Sequence, residues 1–297
     1  MAADIITNIE RFFRRKSVLS NLIAINIIIF LLIKIVNVLL LLFNIDSASF
    51  IRFFELPASF HEALSHPWTI VTYMFTHLGF LHILFNLLCL YWFGQIFLLF
   101  FGPKQLGGLY VLGGIVGGIL FILSYNAFPY FQAFIDKSYL IGASASVMAI
   151  VFATAFYKKD YEVSLFLFGR VKIIYIALFF FILDLISIGS NNPGGHIAHI
   201  GGALMGLAYA KSYVKGKDLT KVINSVIDGI ANFFTKKPQK TSSRKQVYKR
   251  TETDYEYNKR KSDENSEIDR ILDKIKKSGY NSLSENEKKT LFNANKK

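Results

Sequence analysis

Two serines and two histidines stand in small-residue, glycine-containing segments of an otherwise apolar chain. Ser144 and Ser146 belong to the run GASAS, and His196 and His199 belong to the run GGHIAHIGGALMG. A serine hydroxyl becomes a nucleophile when a neighbouring histidine accepts its proton. The two runs therefore predict an activated serine, provided that the fold brings them together.

Helical geometry separates the roles of the two serines. Residues two apart on a helix point in roughly opposite directions, at about 100° per residue, so Ser144 and Ser146 cannot face the same site. Ser146 forms a small-xxx-small pair with Gly142, which predicts a role in close helix packing. The hydroxyl of Ser144 is either chemical or hydrogen-bonded back to its own helix.

One histidine lies on a glycine stripe. His199, Gly202 and Gly206 lie at positions i, i+3 and i+7 of one helical face. Small residues let a neighbouring helix approach closely, so His199 is expected to press against that neighbour. If the neighbour carries Ser144, His199 can act as its general base. His196, one turn earlier, is expected to have a structural or gating role.

Other polar residues in apolar runs are functional candidates because burying them in a membrane is costly. His82 and Asn86 are four apart, so they share one helix face, and both can donate hydrogen bonds. They serve a site or tie their helix to a neighbour. His77 lies off that face, and a structural role is expected. Asp184 could orient a histidine as the third member of a triad, but a hydrated position near the external end, or a bond to a neighbour, is the favoured interpretation.

The sequence does not predict a metal site or a cofactor. The segment from His61 through Glu62 to His66 resembles the zinc motif H-E-x-x-H, but its second histidine comes one residue too late to share the face of the first. The histidines of the apolar runs have no carboxylate or cysteine at ligand spacing in the sequence.

The elements that must position these residues are apolar runs near the length of a membrane span. The chain has 297 residues, of which 52% are hydrophobic and 19% are charged, and a soluble domain would be less apolar. The sequence therefore predicts an all-α polytopic membrane protein with a six-helix bundle and a small helical C-terminal segment. The six runs cover about 19–43, 80–100, 105–125, 142–157, 171–189 and 196–213.

The net charge of +13 is concentrated before the first run, between alternate runs and in the tail. The positive-inside rule then places both termini in the cytoplasm. The basic flanks are expected to face anionic lipid, and no nucleic-acid partner is predicted. The composition, rich in Lys, Asn and Ile, is typical of a bacterial source and hence of the inner (cell) membrane.

Four segments are predicted. Residues 1–18 are a basic cytoplasmic lead, 19–214 a membrane domain, 215–262 a polar and largely disordered linker, and 263–297 a small helical segment. In the last, Gly279 is expected to end one helix, and Ser284 with Glu287 forms a capping box that opens another. This short pair is expected to dock on a partner that the sequence does not identify.

The motifs together resemble the rhomboid family of intramembrane serine proteases. Gly142–Ala145 is similar to the family's G-x-S-[GA], and Ala198–Gly206 is similar to its A-H-x-x-G-x-x-x-G. His82–Asn86 is similar to its H-x-x-x-N, with His77 at the expected place before it. The resemblance covers residues 19–214, where the six-helix count and the long loop after the first helix also fit.

The resemblance implies roles for individual residues. Ser144 would be the nucleophile and His199 the general base of a dyad without an acid. His82, Asn86 and the backbone N–H of Ser144 would form the oxyanion hole. Gly142, Gly202 and Gly206 would pack helices near the site. The implied substrates are transmembrane segments of other membrane proteins, cleaved within the lipid environment.

The chain departs from the family at two places. The first loop has Trp68–Thr69 where many members have Trp-Arg, which predicts a different anchoring of that loop. Met148 replaces an aromatic residue that packs on the histidine, which predicts a looser His199.

Two other functions stay open at this stage. An inactive rhomboid-like protein would bind membrane clients without cutting them. A small transporter would show an internal repeat between its halves, and none is visible in the sequence.

Overall fold

The computed structural model describes residues 10–14, 17–165, 169–189, 192–235 and 254–294. The chain divides into two compact units, Met1–Lys236 and Lys237–Lys297. Of the predicted basic lead, residues 10–14 are helical, and residues 1–9, 15 and 16 lie outside the described residues.

Each of the six predicted apolar runs contains a helix. The helices are α1 Val18–Leu42, α2 Phe80–Leu98, α3 Pro103–Ala127, α4 Ser144–Tyr157, α5 Ile173–Ile186 and α6 Pro193–Val214.

Three of these helices, α1, α2 and α3, are long and apolar enough to cross a membrane. The helices α4 and α5 have only 14 residues each, or about 21 Å at 1.5 Å per residue. That is shorter than a hydrocarbon core of about 30 Å. The helix α6 has 22 residues, but its glycines and histidines dilute its apolar character.

Helix α4 lies at the centre of the first unit, and every residue from Ala145 to Ala155 is buried. Helix α6 packs against it without side chains between the backbones. A methyl group on Gly202 would overlap the carbonyl oxygen of Ala145, and one on Gly206 would overlap that of Ala149. Only glycine permits this approach.

Helix α3 reaches the same region through its own glycines. A methyl group on Gly113 would overlap the side chain of Ala149. A methyl group on Gly117 would lie 2.6 Å from Cβ of Ala145 and 2.8 Å from the carbonyl oxygen of Ala198. Small residues therefore bring α3, α4 and α6 together at the beginning of α4.

The connections are mostly ordered. The loop after α1 contains helical turns at Ala48–Arg52, Phe60–Ser65, Thr69–Thr72 and Tyr73–Phe75, and the loop after α3 contains turns at Pro129–Gln132 and Ile135–Lys137. Strand β1, Leu56–Pro57, pairs antiparallel with β2, Tyr139–Leu140, and joins the two loops. Between α4 and α5, strands β3, Glu162–Leu165, and β4, Gly169–Lys172, form an antiparallel pair.

Trp68 anchors the first loop although no arginine follows it. Its indole N–H donates a hydrogen bond of 2.8 Å to the carbonyl oxygen of Phe53, and the two aromatic rings lie 4.9 Å apart. The anchoring therefore comes from a backbone carbonyl and a ring contact.

The predicted linker 215–262 is partly helical. Helix α7, Lys221–Thr235, packs on the start of α3. Thr220 and Asn224 fill the space beside Gly108 of α3. The side chain of Lys104 forms an ion pair of 2.6 Å with Asp228. Helix α8 begins inside the predicted linker. The linker was predicted from its high charge. The apolar residues of α7, which recur with helical spacing, were not taken into account: Val222, Val226, Ile227 and Ile230.

The second unit contains α8, Asp254–Ser278, a helical turn at Tyr280–Ser282, and α9, Glu285–Ala294. Gly279 follows α8 with φ +77°, as predicted. The capping box is confirmed, because the Ser284 N–H donates to Glu287 Oε2 at 2.8 Å and the Glu287 N–H donates to Ser284 Oγ at 3.3 Å. Lys274 also donates to Glu287, at 2.9 Å.

Substituting Gly202 by alanine should separate α4 from α6. Because the new methyl group meets a backbone carbonyl that cannot rotate away, we expect a loss of about 1–3 kcal/mol or more, seen as a lower thermal unfolding temperature in detergent. Gly189→Ala is the matched control, since open space surrounds that glycine. Equal unfolding temperatures for both variants would contradict this packing.

Acid should loosen the second unit through Glu287. The Ser284 N–H, Lys274 and the Ser284 hydroxyl lower the pKa of Glu287 from 4.5 to about 2. A lowered pKa stabilises the folded form above pH 4.5, and this contribution is lost as the pH falls toward 2. We expect Glu287→Gln to increase hydrogen exchange in α8 and α9 at pH 7, with no further effect at pH 2. Glu285→Gln, at an exposed pair with Lys288, should leave exchange unchanged at both pH values.

Candidate active site

Ser144 is the first residue of α4. The segment before it is fixed by two hydrogen bonds, because the Gly142 N–H donates to the carbonyl oxygen of Tyr73 at 2.9 Å and the Ala143 N–H donates to Nε2 of His77 at 3.3 Å. His77 thus supports the turn into α4. The first N–H groups of a helix have no partner within it, so the beginning of α4 offers donors beside the Ser144 hydroxyl.

Gly142 differs from its predicted place in a helix-packing pair. It precedes α4 and has φ +110°, a conformation that favours glycine. A methyl group there would lie 2.7 Å from Nε2 of His82. Gly142 therefore lets the chain turn into α4 while His82 lies directly against its backbone.

The two serines have different surroundings. Ser146 is fully buried, with its hydroxyl 3.9 Å from the sulfur of Met74 and against Gly114 of α3. Ser144 is partly exposed, and its hydroxyl makes no hydrogen bond within the described residues. The alternative in which Ser144 is bonded back to its own helix is therefore not what the structure contains.

His199 lies one turn before Gly202 on α6, beside the start of α4. Its Nδ1 is 2.8 Å from Oδ1 of Asp184 on α5. The same oxygen is 2.9 Å from Nδ1 of His196. Met148 predicted a looser orientation of the His199 ring. The structure instead has a buried carboxylate in contact with Nδ1 of that ring.

The donor atoms of Asp184, His196 and His199 all lie within 4.8 Å of one another, a set that could hold a metal ion. A carboxylate therefore accompanies two of these histidines in the fold, although none stands at ligand spacing in the sequence. The sequence hid this because Asp184 comes from a different helix, at no recognised ligand spacing.

His82 and Asn86 lie on α2, facing the same region. The Asn86 amide donates one hydrogen bond of 2.8 Å to the carbonyl oxygen of His82, and an amide has a second hydrogen to offer. Nε2 of His82 lies against Gly142, two residues before Ser144. The start of α4, His199 and the donors of α2 thus converge at one end of the bundle.

Sequence reasoning missed Tyr73. It is fully buried, its hydroxyl donates to the carbonyl oxygen of Gly114 at 2.6 Å, and its own carbonyl accepts from Gly142. Tyr73 thereby links α3 to the turn before the serine. No motif marks this tyrosine, but the two GG pairs of GGIVGG in α3, four residues apart, could have indicated the helix that it contacts.

This arrangement defines a helical membrane protein with a serine, a histidine and hydrogen-bond donors at one end of its bundle. Residues 64–216 match the Rhomboid domain family, and the chain belongs to the rhomboid family. It is 33% identical over 155 residues to "RHOMBOID-like protein 12, mitochondrial" of Arabidopsis thaliana. That match covers 48% of this chain and 46% of the plant protein, so the chain spans about half the length of this relative. Residues 251–297 match a family of unknown function (DUF6576).

The apolar helices and the Rhomboid match make this a membrane protein. The name of the plant relative places that protein in the mitochondrion. The comparisons therefore do not support the bacterial inner membrane that composition suggested.

Replacing Gly142 by alanine should impair the site while leaving the bundle folded. The methyl group would meet the His82 ring, and φ +110° is strained for alanine. If about 1–3 kcal/mol of strain is relieved by moving the turn or His82, any reaction at Ser144 should slow by about tenfold or more. Modification of Ser144 by a serine-directed fluorophosphonate measures this. An unchanged rate of modification would show that neither the turn at Gly142 nor the position of His82 affects the reactivity of the Ser144 hydroxyl.

Proposed function

We propose that the protein is an intramembrane serine endopeptidase, with Ser144 as nucleophile and His199 as general base. The observation that carries the proposal is the meeting of α4 and α6, which brings the partly exposed hydroxyl of Ser144 to the helix that bears His199. Catalytic hydrogen bonds often tighten only when substrate is bound, so an unbonded hydroxyl is compatible with this role.

The reaction follows from the chemistry of these groups. Ser144 Oγ attacks the carbonyl carbon of the scissile peptide bond, and its proton passes to Nε2 of His199. His82, Asn86 and the Ser144 N–H donate hydrogen bonds to the oxyanion, where such donors typically contribute a few kcal/mol. His199 returns the proton to the leaving amine. A water molecule then hydrolyses the ester on Ser144, with His199 again as base.

The proposed substrates are transmembrane segments of other membrane proteins. A spanning helix satisfies all its backbone groups internally, so it must unwind locally before a peptide bond can reach Ser144. The site lies partly exposed at the beginning of α4, where water can enter. No cofactor or nucleic acid takes part in this reaction.

The proposed topology has six membrane-crossing helices and both termini on the cytoplasmic side. The basic segment around Lys158, Lys159 and Lys172 lies at the opposite end of α4 from Ser144, which supports a site toward the external face. In this proposal residues 19–214 form the protease domain. Residues 263–297 supply no catalytic group, and their partner is unknown.

Cleavage of a single-span substrate in liposomes tests the proposal. We expect Ser144→Ala to abolish cleavage, because it removes the proposed nucleophile, while Ser146→Ala retains it, since Ser146 is buried against α3. Cleavage by the wild type should fall as the pH is lowered, because a protonated imidazole cannot accept the serine proton.

Equal cleavage by wild type and Ser144→Ala would rule out this site. If neither protein cleaves any of several single-span substrates, and Ser144 resists the fluorophosphonate, the chain is an inactive rhomboid-like protein that binds membrane clients.

A further inference from the structure

A buried carboxylate lies between the proposed base and a second histidine. Asp184 belongs to α5, and its side chain is only 8% exposed. Its Oδ1 contacts Nδ1 of His199 at 2.8 Å and Nδ1 of His196 at 2.9 Å. A buried charge is costly unless it is paired or hydrogen-bonded, and these two contacts meet that requirement.

The contact determines which nitrogen of His199 carries hydrogen. An ionised carboxylate only accepts hydrogen bonds, so the Nδ1 atoms facing it must be donors. A neutral imidazole with hydrogen on Nδ1 has its lone pair on Nε2. In the proposed reaction Nε2 is the atom that takes the proton from Ser144. Without the carboxylate, the ring would populate both tautomers.

We propose that Asp184 is the positioning residue of His199. It holds the ring in the Nδ1–H tautomer, and its negative charge stabilises the imidazolium that forms when Ser144 attacks. In this proposal the proton of Ser144 stops at Nε2 of His199 and does not pass on to Asp184. This inference rests on the proposed function, and it extends the Ser–His dyad to a third group.

His196 has a different part in the cluster. It lies one helical turn from His199, nearer the beginning of α6, and donates to the same oxygen of Asp184. With two donors on one oxygen, the carboxylate cannot rotate without losing both contacts. His196 therefore fixes Asp184, while Asp184 fixes His199.

The first experiment compares Asp184→Asn, Asp184→Ala and Asp184→Glu with Asp160→Asn as the matched control. Asp160 pairs with Lys172 at 2.7 Å and is exposed, just past the end of α4 that is opposite Ser144. We expect Asp184→Asn to lower kcat by about tenfold or more with little change in KM, because Asp184 contacts the base. An asparagine amide can also donate to Nδ1 and so favour the wrong tautomer. Asp184→Glu should recover part of the rate, and Asp160→Asn should behave as wild type.

The pH profile separates positioning from a merely structural role. Among the described residues, the other titratable side chains near His199 are His196, with its ring 6.0 Å away, and His82 on α2, and both stay in every variant. Removing the charge of Asp184 destabilises the imidazolium, so the acid limb of kcat should move to lower pH in Asp184→Asn and Asp184→Ala. A structural role would lower the amount of folded enzyme without moving that limb.

The second experiment reads the tautomer without using activity. In the full chain with ring-¹⁵N-labelled histidine, assigned with His199→Gln, neutral His199 should show the Nδ1–H form in the wild type and a mixture in Asp184→Ala. An Nε2–H form in the wild type would overturn the proposal. The proposal would also be overturned if Asp184→Asn had the kcat and pH profile of the wild type. It would equally be overturned if Asp184→Asn were slower, its acid limb did not move, and Asp184→Glu recovered none of the rate.

Two further outcomes would also decide the question. If a chelator abolishes cleavage and Zn²⁺ restores it, the cluster holds a metal ion and Nδ1 of His199 is a ligand, which overturns the positioning role. If the wild type is inactive and Ser144 resists the fluorophosphonate, the proposed function fails. The catalytic role of Asp184 then fails with it, even where the NMR signal shows the hydrogen bond to be present.

Discussion

The close approach of α4 and α6 is the constraint on which the rest of the structure depends. Glycines of α6 lie directly on backbone carbonyls of α4, and glycines of α3 meet the same stretch from another direction. Without this contact, the serine at the start of α4 and the histidine of α6 would lie apart. Because packing of this kind tolerates no added methyl group, the same residues that hold the bundle together also set the geometry of the site.

The second requirement is that buried polar groups near the site find hydrogen-bond partners. His77 supports the turn before Ser144, Asn86 donates back to its own helix, and Asp184 is shared by two histidines. Within the described residues, the Ser144 hydroxyl stands apart from these contacts and makes no hydrogen bond. A partly exposed hydroxyl without such a contact remains available to react.

Much of the fold could be predicted because helical spans leave strong patterns in a sequence. The apolar runs coincide with α1–α6, and the capping box at Ser284 was found from two residues three apart. Helix α7 was missed because its charged neighbours hid a helical repeat of apolar residues. The number of membrane-crossing helices is harder to predict from the sequence, since α4 and α5 are short and α6 is rich in glycine.

The site was only partly visible in the sequence. Ser144 and His199 stand in recognisable motifs, whereas the contact of Asp184 with both histidines depends on how α5 is rotated against α6, and no spacing rule reports that rotation. The conformation of Gly142 was likewise hidden, because a glycine before a serine is compatible with a helix as well as with a turn. Local patterns indicate which residues could do chemistry, and tertiary packing decides which of them meet.

The central claim is that Ser144 and His199 form one reactive centre. Mass-spectrometric mapping of the fluorophosphonate adduct on the full chain in lipid, in wild type and in His199→Ala, tests it most directly. The account predicts an adduct on Ser144 in the wild type, no adduct on Ser146, and loss of the Ser144 adduct without His199. Equal modification of Ser144 in both proteins, or an adduct on another serine alone, would contradict it.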